Sequence, residues 1–249
     1  MKRNLKSLIG YTIGASDGEI GEVKEFYFDD KTWIIRYLIV ETGNWLSGRK
    51  CLISPHALST PDWENRVFPV RLTREEIKNS PDIDTERPVS REEEIKLESY
   101  YLSTGYSSYG FFAGGEPLSL QQMIPREGGQ AATSKSNENP HLRSSSKVAG
   151  YNIVAADGEI GKVEHFLIQD GTWKIDFMVV DTGHWLPGKK VLISPKWIKE
   201  IDWGTSTVTV NISIEKVKNS PEYHTNRPLH ENDVIQLHNY YGEFVTHVQ

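Results

Sequence analysis

Residues 10–101 and 150–241 are two copies of one sequence, and this internal repeat limits the folds open to the chain more than any other feature. A shift of 140 positions aligns the two segments without a gap, and 41 of the 92 aligned pairs are identical. A unit of this length is a duplicated domain, because solenoid units recur every ~20–50 residues. We therefore predict two domains of the same fold, residues 1–101 and 148–249. A flexible linker rich in Gly, Ser and polar amides is predicted over residues 102–147.

A short phrase near the start of each copy predicts a β-hairpin. It reads SDGEIGEV over residues 16–23 and ADGEIGKV over residues 156–163. Asp-Gly between two extended runs is typical of a type I′ turn, because Asp tolerates and Gly accepts the positive φ angles that this turn requires. The apolar alternation then changes phase near Gly21 and Gly161, so we expect a β-bulge at each glycine.

Further short strands follow the hairpin. A predicted strand has alternating apolar residues, Trp33, Ile35, Tyr37 and Ile39, on one face. Its other face should be exposed to solvent at the start of the strand and buried at its end. The stretch TGNWLSGRKCLISP, residues 42–55, and its counterpart TGHWLPGKKVLISP read as a long loop and a short strand ended by proline.

Two short helices are predicted at the end of each copy. Thr73 and Ser213 are predicted N-caps of the first, and Ser90 with Glu93 has the spacing of a capping box for the second, over residues 90–101. The chain is therefore predicted to be mainly β, with two tandem small antiparallel β-barrels, each followed by short C-terminal helices.

Charge and cysteine content restrict the partners and the compartment. The net charge is −6, and Lys+Arg against Asp+Glu number 15 to 18 in residues 1–101, 4 to 3 in the linker and 9 to 13 in residues 148–249. No segment is basic enough to favour a phosphate backbone, so nucleic acid is not expected as a partner. The single cysteine, Cys51, fits a reducing compartment, and no signal peptide or membrane span is predicted. We expect a cytoplasmic protein.

The ionisable residues do not predict catalysis. None of the eight histidines aligns with a histidine in the other copy. A metal site needs convergent His, Cys or carboxylate ligands, so none is predicted in the shared unit. Carboxylates that recur, such as Asp17 and Asp62, are explained by turns and corners. We therefore expect no enzyme activity, no cofactor and no metal.

One loop in each copy is a candidate protein-binding site. Each loop presents a tryptophan between glycines, followed by two basic residues, which is typical of a binding anchor. The alternative is a tryptophan folded over the end of the barrel beside solvated basic side chains. The candidate partner-binding residues are Trp45, Arg49, Lys50, Trp185, Lys189 and Lys190.

Several matched positions carry opposite charges in the two copies. Residues near the two-fold axis of an ancestral homodimer would face their own copies, and after gene fusion such pairs could become complementary. This pattern suggests that the barrels pack as an intramolecular pseudo-dimer, and the alternative is drift on solvated surfaces. The candidate inter-barrel contacts are Glu22 with Lys162, Lys24 with Glu164, and Arg36 with Asp176.

Taken in order, the DGEIG turn, the WIIRYLIV strand, the Trp-containing loops and the NSP…RP tail resemble the PRC-barrel family. This small β-barrel occurs in the cytoplasmic part of the photosynthetic reaction-centre H subunit and in the ribosome maturation factor RimM. The resemblance implies an assembly or regulatory module and carries no catalytic motif. Neither specific role is inherited with the fold.

The expected function is therefore a non-catalytic adaptor or regulator that binds another protein or assembly. One alternative is a small-ligand or metal-responsive sensor with a site between the barrels. Another is an accessory of a photosynthetic or electron-transfer complex, similar to the reaction-centre H subunit and associated peripherally with a membrane complex.

Overall fold

The computed structural model describes residues 1–85, 88–105, 141–183, 187–225 and 229–242, which form two compact units. Unit A contains Ile9–Lys31 and the described residues from Ile35 to Arg143, and unit B contains Met1–Leu8, Thr32–Ile34 and the described residues from Ser144 onward. These units differ from the predicted domains, because Met1–Leu8 and Thr32–Ile34 join the second copy, and the described residues of the predicted linker belong to unit A or unit B. Residues 106–140 of the predicted linker lie outside the described residues.

Short strands dominate both units, and the helices are few. The strands are β1 (Lys2–Asn4), β2 (Thr12–Ala15), β3 (Gly18–Asp29), β4 (Ile35–Thr42), β5 (Lys50–Ile53), β6 (Val67–Pro69), β7 (Leu142–Ser144), β8 (Asn152–Ala155), β9 (Gly158–Gln169), β10 (Ile175–Asp181), β11 (Lys190–Ile193), β12 (Ile198–Asp202) and β13 (Thr207–Val210). The α-helices are α1 (Arg74–Asn79), α2 (Arg91–Ser103), α3 (Ser145–Val148), α4 (Ile214–Lys218) and α5 (Glu231–Tyr241). Single 3₁₀ turns are η1 (Leu5–Leu8), η2 (Asn44–Leu46), η3 (Pro55–Ala57) and η4 (Pro195–Trp197).

Each unit is built on one open sheet. The sheet of unit A has the order β5-β4-β3-β2-β6, and that of unit B has the order β11-β10-β9-β8-β13-β12. The predicted closure into a barrel is wrong for the described residues, because the end strands of each path do not pair. These end strands are short, and β6 ends in Pro69, which has no amide N–H to donate. The prediction of purely antiparallel pairing also needs correction, since β2–β6 and β8–β13 are parallel pairs.

The first strand of each sequence copy lies in the sheet of the other copy. Strand β1 pairs with β9, so the first copy contributes it to unit B, whereas β7 pairs with β3. Residues 2–4 and 142–144 occupy equivalent positions of the repeat. The copies have therefore exchanged their first strands within one chain.

The predicted hairpin is confirmed, but its turn differs in type. Ser16 and Asp17 are the two loop residues, and Gly18 already pairs with Ala15. Among the turn residues 16–18 and 156–158, positive φ belongs to Gly18 (142°) and Gly158 (146°), so Asp17-Gly18 is not the centre of a type I′ turn. The predicted bulge is confirmed: Ile13 and Gly14 oppose Gly21 and Glu19, which leaves Ile20 as the extra residue.

The predicted helix starts are confirmed, and the buried face of α2 explains a wrong expectation about β4. Thr73 and Ser90 both form capping boxes. Helix α2 buries Glu94 and Glu98 beside Leu97 and Tyr101. The start of this face of β4 was expected to be exposed to solvent, but it is buried in unit A, where Arg36 is only 5% exposed.

Candidate functional site

Trp45 is held in a fixed orientation on the surface of unit A. It lies in η2 and is half-buried, and its indole Nε1 donates a hydrogen bond of 2.6 Å to the carbonyl oxygen of Ile20. The Arg74 guanidinium carbon lies 4.4 Å from the centre of the indole ring, a cation–π contact. The ring therefore has one polar group satisfied by the bulged strand and a cation over its face.

The repeated phrase forms the base of this arrangement. The Asp17 carboxylate accepts a hydrogen bond of 2.8 Å from the backbone N–H of Arg74, at the N-terminus of α1. A Cβ at Gly18 would lie 3.3 Å from the Arg74 side chain, so glycine leaves room for that side chain to reach Trp45. We call these residues, Asp17, Gly18, Ile20, Trp45 and Arg74, the Trp45 patch.

Asp17→Ala is expected to lower the free energy of unfolding by about 1 kcal/mol, because the first turn of α1 loses a carboxylate acceptor. The equivalent Asp157 accepts from Ile214 N–H at 3.0 Å, so Asp157→Ala should do the same in unit B. Urea unfolding would measure both. Asp82→Ala is the control, because that carboxylate is 85% exposed and its ion pair with Arg49 should contribute little. Equal losses for Asp17→Ala and Asp82→Ala would contradict the capping role.

Arg49 and Lys189 bind the C-terminal carbonyls of the short helices. Arg49 donates to the carbonyl oxygens of Lys78 at 2.9 Å and Ser80 at 2.7 Å. Lys189 donates to the equivalent carbonyls, those of Lys218 at 2.6 Å and Ser220 at 2.8 Å. Basic groups suit this end of a helix because its last carbonyls have no partner within the helix. Burial also lowers the pKa of Lys189.

The remaining candidate partner-binding residues are Lys50, Lys190 and Trp185. Lys190 forms an ion pair of 2.5 Å with Glu164. Lys50 is half-buried at the start of β5 and pairs with Glu41 along the strand ladder. Trp185 lies outside the described residues. A partner-binding role for the six loop residues remains a prediction.

Five of the six positions of reversed charge have described charged partners inside their own units. Lys24 contacts Glu41 at 3.1 Å and Glu22 at 3.3 Å, and hydrogen bonds to these two carboxylates raise its pKa. In unit B, Glu164 pairs with Lys190, and Asp176 forms an ion pair with Lys2 of β1. Lys162 is exposed. Their role as inter-barrel contacts remains a prediction.

Unit A contains a buried charged cluster whose residues differ from those at the matched positions of unit B. Arg36 lies 3.4 Å from Glu98 and 4.0 Å from Asp29, and the Tyr37 hydroxyl donates to Glu98. Burial, with the nearby Glu98 charge, raises the pKa of Tyr37 well above its usual range. The residues of unit B at the positions of Arg36, Tyr37 and Glu98 are Asp176, Phe177 and His238.

Three residues in these sites were missed by sequence reasoning. Arg74 aligns with Ile214, so comparison of the copies gave no reason to select it. Asp17 was explained as a turn residue, and its contact with α1 depends on tertiary structure. Glu98 could have been found from helical spacing, because it follows Glu94 by four residues and Leu97 and Tyr101 lie on the same face.

Two further ionisable groups, His165 and Cys51, are buried outside this cluster. His165 is 6% exposed, and burial lowers its pKa. Cys51 is buried in β5, and burial raises the pKa of its thiol. Within the described residues, no group of three or more His, Cys, Asp or Glu side chains is placed to hold a metal ion. Each helix in the described part of the chain is too short or too polar to cross a membrane.

One pocket lies in unit B, beside α5. Leu192, Tyr223, His224, Leu229 and Leu237 are among its lining residues, and its volume is about 70 Å³. Pockets for small organic ligands usually measure ~300–1,000 Å³. The pocket is therefore too small for such a ligand.

Comparison with known proteins gives one family. A model of the PRC-barrel domain matches residues 2–74 and 140–217, which together make up more than half of the chain. The matches include the exchanged strands β1 and β7, the hairpin and the Trp-containing loop of each copy. They end at the start of α1 and within α4, so α2 and α5 lie beyond them. A search of curated proteins found no match.

The chain is thus a mainly β protein made of two homologous units, each with a Trp-containing loop in its sequence. It belongs to the PRC-barrel family and carries two copies of its domain.

Proposed function

We propose that this protein is a non-catalytic adaptor or regulator that binds another protein or assembly, with the Trp45 patch as its contact surface. The observation that carries the proposal is the fixed, half-buried Trp45 ring, which is bonded to Ile20 and covered on one face by Arg74. Large aromatic and arginine side chains dominate the energetics of protein interfaces. A side chain that is already fixed loses little conformational entropy on binding.

Order in the rest of the loop supports the same proposal. The Thr42 hydroxyl donates to the Arg49 carbonyl oxygen at 2.8 Å and closes the base of the loop. Arg49 then ties the loop to the end of α1. Thr182 makes the equivalent bond to the Lys189 carbonyl oxygen at 2.8 Å. The loop base is therefore a shared structural feature, and binding specificity in unit A would come from Trp45 and Arg74.

The two alternatives receive less support. A small-ligand or metal-responsive sensor with a site between the barrels stays an alternative, but the described residues offer it only a small pocket beside α5 and no cluster of metal ligands. An accessory role similar to that of the reaction-centre H subunit would be one case of the adaptor function. We also propose a cytoplasmic location, because the single cysteine suits a reducing compartment.

Trp45→Ala is expected to abolish partner capture while lowering the free energy of unfolding by only about 1–2 kcal/mol. The substitution removes one cation–π contact and one hydrogen bond. The measurement is affinity capture with the full-length tagged protein from soluble and membrane fractions of its host, quantified against wild type. Thermal melting of the same preparations measures the cost in stability.

Trp63→Ala is the matched control for this experiment. Trp63 is also half-buried in unit A, but it packs against Tyr11 and Phe68 with ring centroids 6.2 and 5.8 Å away. Its loss should weaken the fold without removing the partner. Capture that survives Trp45→Ala, or that is lost equally in both variants, would contradict the Trp45 patch as the binding surface.

A further inference from the structure

The edge of β9 holds β1 by main-chain pairing. Lys2, Arg3 and Asn4 pair antiparallel with Gln169, Ile168 and Leu167. The Asp170 N–H donates a further hydrogen bond of 2.9 Å to the carbonyl oxygen of Met1. In unit A, the Asp30 N–H donates the equivalent bond of 2.9 Å to the carbonyl oxygen of His141. Main-chain pairing of this kind accepts an extended peptide whichever chain supplies it.

A side-chain contact adds selectivity for a basic strand. The Arg3 guanidinium contacts Asp170 Oδ2 through Nε and through Nη2, both at 3.0 Å. The equivalent Arg143 contacts Asp30 Oδ2 through Nε at 2.7 Å. Lys2 adds an ion pair with Asp176 in unit B. The arginine–aspartate pair therefore recurs in both exchanged strands, although the neighbouring residues Lys2 and Leu142 differ.

Apolar residues after β1 anchor the segment. Leu5 and Leu8 of η1 are 2% and 1% exposed. Three residues, 9–11, then connect this segment to β2, and Gly10 among them has a φ of 79°. Short connections next to an exchanged element are typical places for swapping between chains.

We propose that the edge of β9, from Leu167 to Asp170, is a strand-acceptor site that also takes the first strand of a second copy of this chain. Every contact that β1 makes with this edge can be made by the same segment of another molecule. The choice between the two arrangements depends on chain concentration and on strain in residues 9–11. Two chains that exchange Met1–Leu8 would form a closed dimer. Strand acceptance at this edge does not depend on the Trp45 patch.

Charge reversal of one ion pair tests the proposal with full-length chains. Arg3→Glu alone places a carboxylate opposite Asp170, and Asp170→Arg alone places a guanidinium opposite Arg3. In each variant, like charges therefore face each other within the chain. In an equimolar mixture, strand exchange pairs Arg3 of the Asp170→Arg variant with Asp170 of the Arg3→Glu variant. It also pairs the two substituted residues with each other, and both pairs are attractive. Sedimentation velocity should show a 1:1 mixed dimer, favoured at least tenfold over dimers of either variant alone.

The double variant, Arg3→Glu with Asp170→Arg, restores the attraction within one chain and should sediment and melt like wild type. Should either single variant fold poorly, co-expression with two different tags supplies both chains during folding, and tandem purification should recover them in equal amounts. A mixture that remains two monomers, or co-expressed chains that do not copurify, would overturn the proposal.

Discussion

Glu98→Ala is expected to lower the free energy of unfolding of unit A by about 3–5 kcal/mol, the cost of leaving a buried charge without its partner. The side chains of Glu98 and Arg36 are only 4% and 6% exposed. Removal of the carboxylate takes away the group that lies 3.4 Å from the Arg36 guanidinium, and the Tyr37 hydroxyl loses this acceptor. Denaturant unfolding measures the loss, and hydrogen exchange of β4 and α2 should assign it to unit A.

An apolar replacement of the whole cluster separates charge pairing from packing. Arg36→Met, Tyr37→Phe and Glu98→Leu combined should recover most of the stability, because well-packed hydrophobic residues often replace a buried ion pair at little cost. Unit B already carries Phe177 at the position of Tyr37. A triple variant no more stable than Glu98→Ala would show that shape, and not the orphaned charge, causes the loss.

The buried cluster also shows which features of α2 the sequence predicts and which it does not. The pattern around Leu97 and Tyr101 predicted α2 correctly, since capping and helical spacing are local properties. The same spacing places Glu94 and Glu98 on the face of Leu97 and Tyr101, but an isolated glutamate is normally solvated. The spacing does not identify Arg36 and Tyr37, 62 and 61 positions before Glu98, as the groups that bind its buried carboxylate.

The sequence does not predict the exchange of β1 and β7 between the copies, for a different reason. Residues 2–4 carry the same pairing information whether they join the sheet of their own copy or that of the other, since the acceptor edges are homologous. The repeat therefore predicted two like units and most of their elements, but not which segments compose each unit. Of the residues proposed for the Trp45 patch, Trp45 stood out between glycines in the sequence, whereas the contact of Arg74 with its ring depends on tertiary structure.

Gly21→Ala is expected to cost about 3 kcal/mol or more in unit A, and Gly161→Ala the same in unit B. A Cβ at either glycine would lie 2.0 Å from a carbonyl oxygen of the neighbouring strand, that of Glu41 or of Asp181. These obstacles are backbone atoms, so no side-chain rotation relieves them. The strands β3 and β4, or β9 and β10, would have to separate where the bulged strand changes register.

Gly14→Ala is the matched control, because it makes the same chemical change in the paired strand of the same hairpin. Its Cβ would lie 3.6 Å from the Val67 side chain, an ordinary contact, so stability should change by no more than about 1 kcal/mol. Hydrogen exchange of the strand amides should show opening of β3 and β4 for Gly21→Ala and of β9 and β10 for Gly161→Ala.

Because Ile20, whose carbonyl holds Trp45, immediately precedes Gly21, the Gly21 variant should also weaken partner capture. Gly161→Ala leaves that carbonyl in place and should not. Equal loss of capture in the two variants would mean that overall stability, not the geometry of the bulge, controls the Trp45 patch.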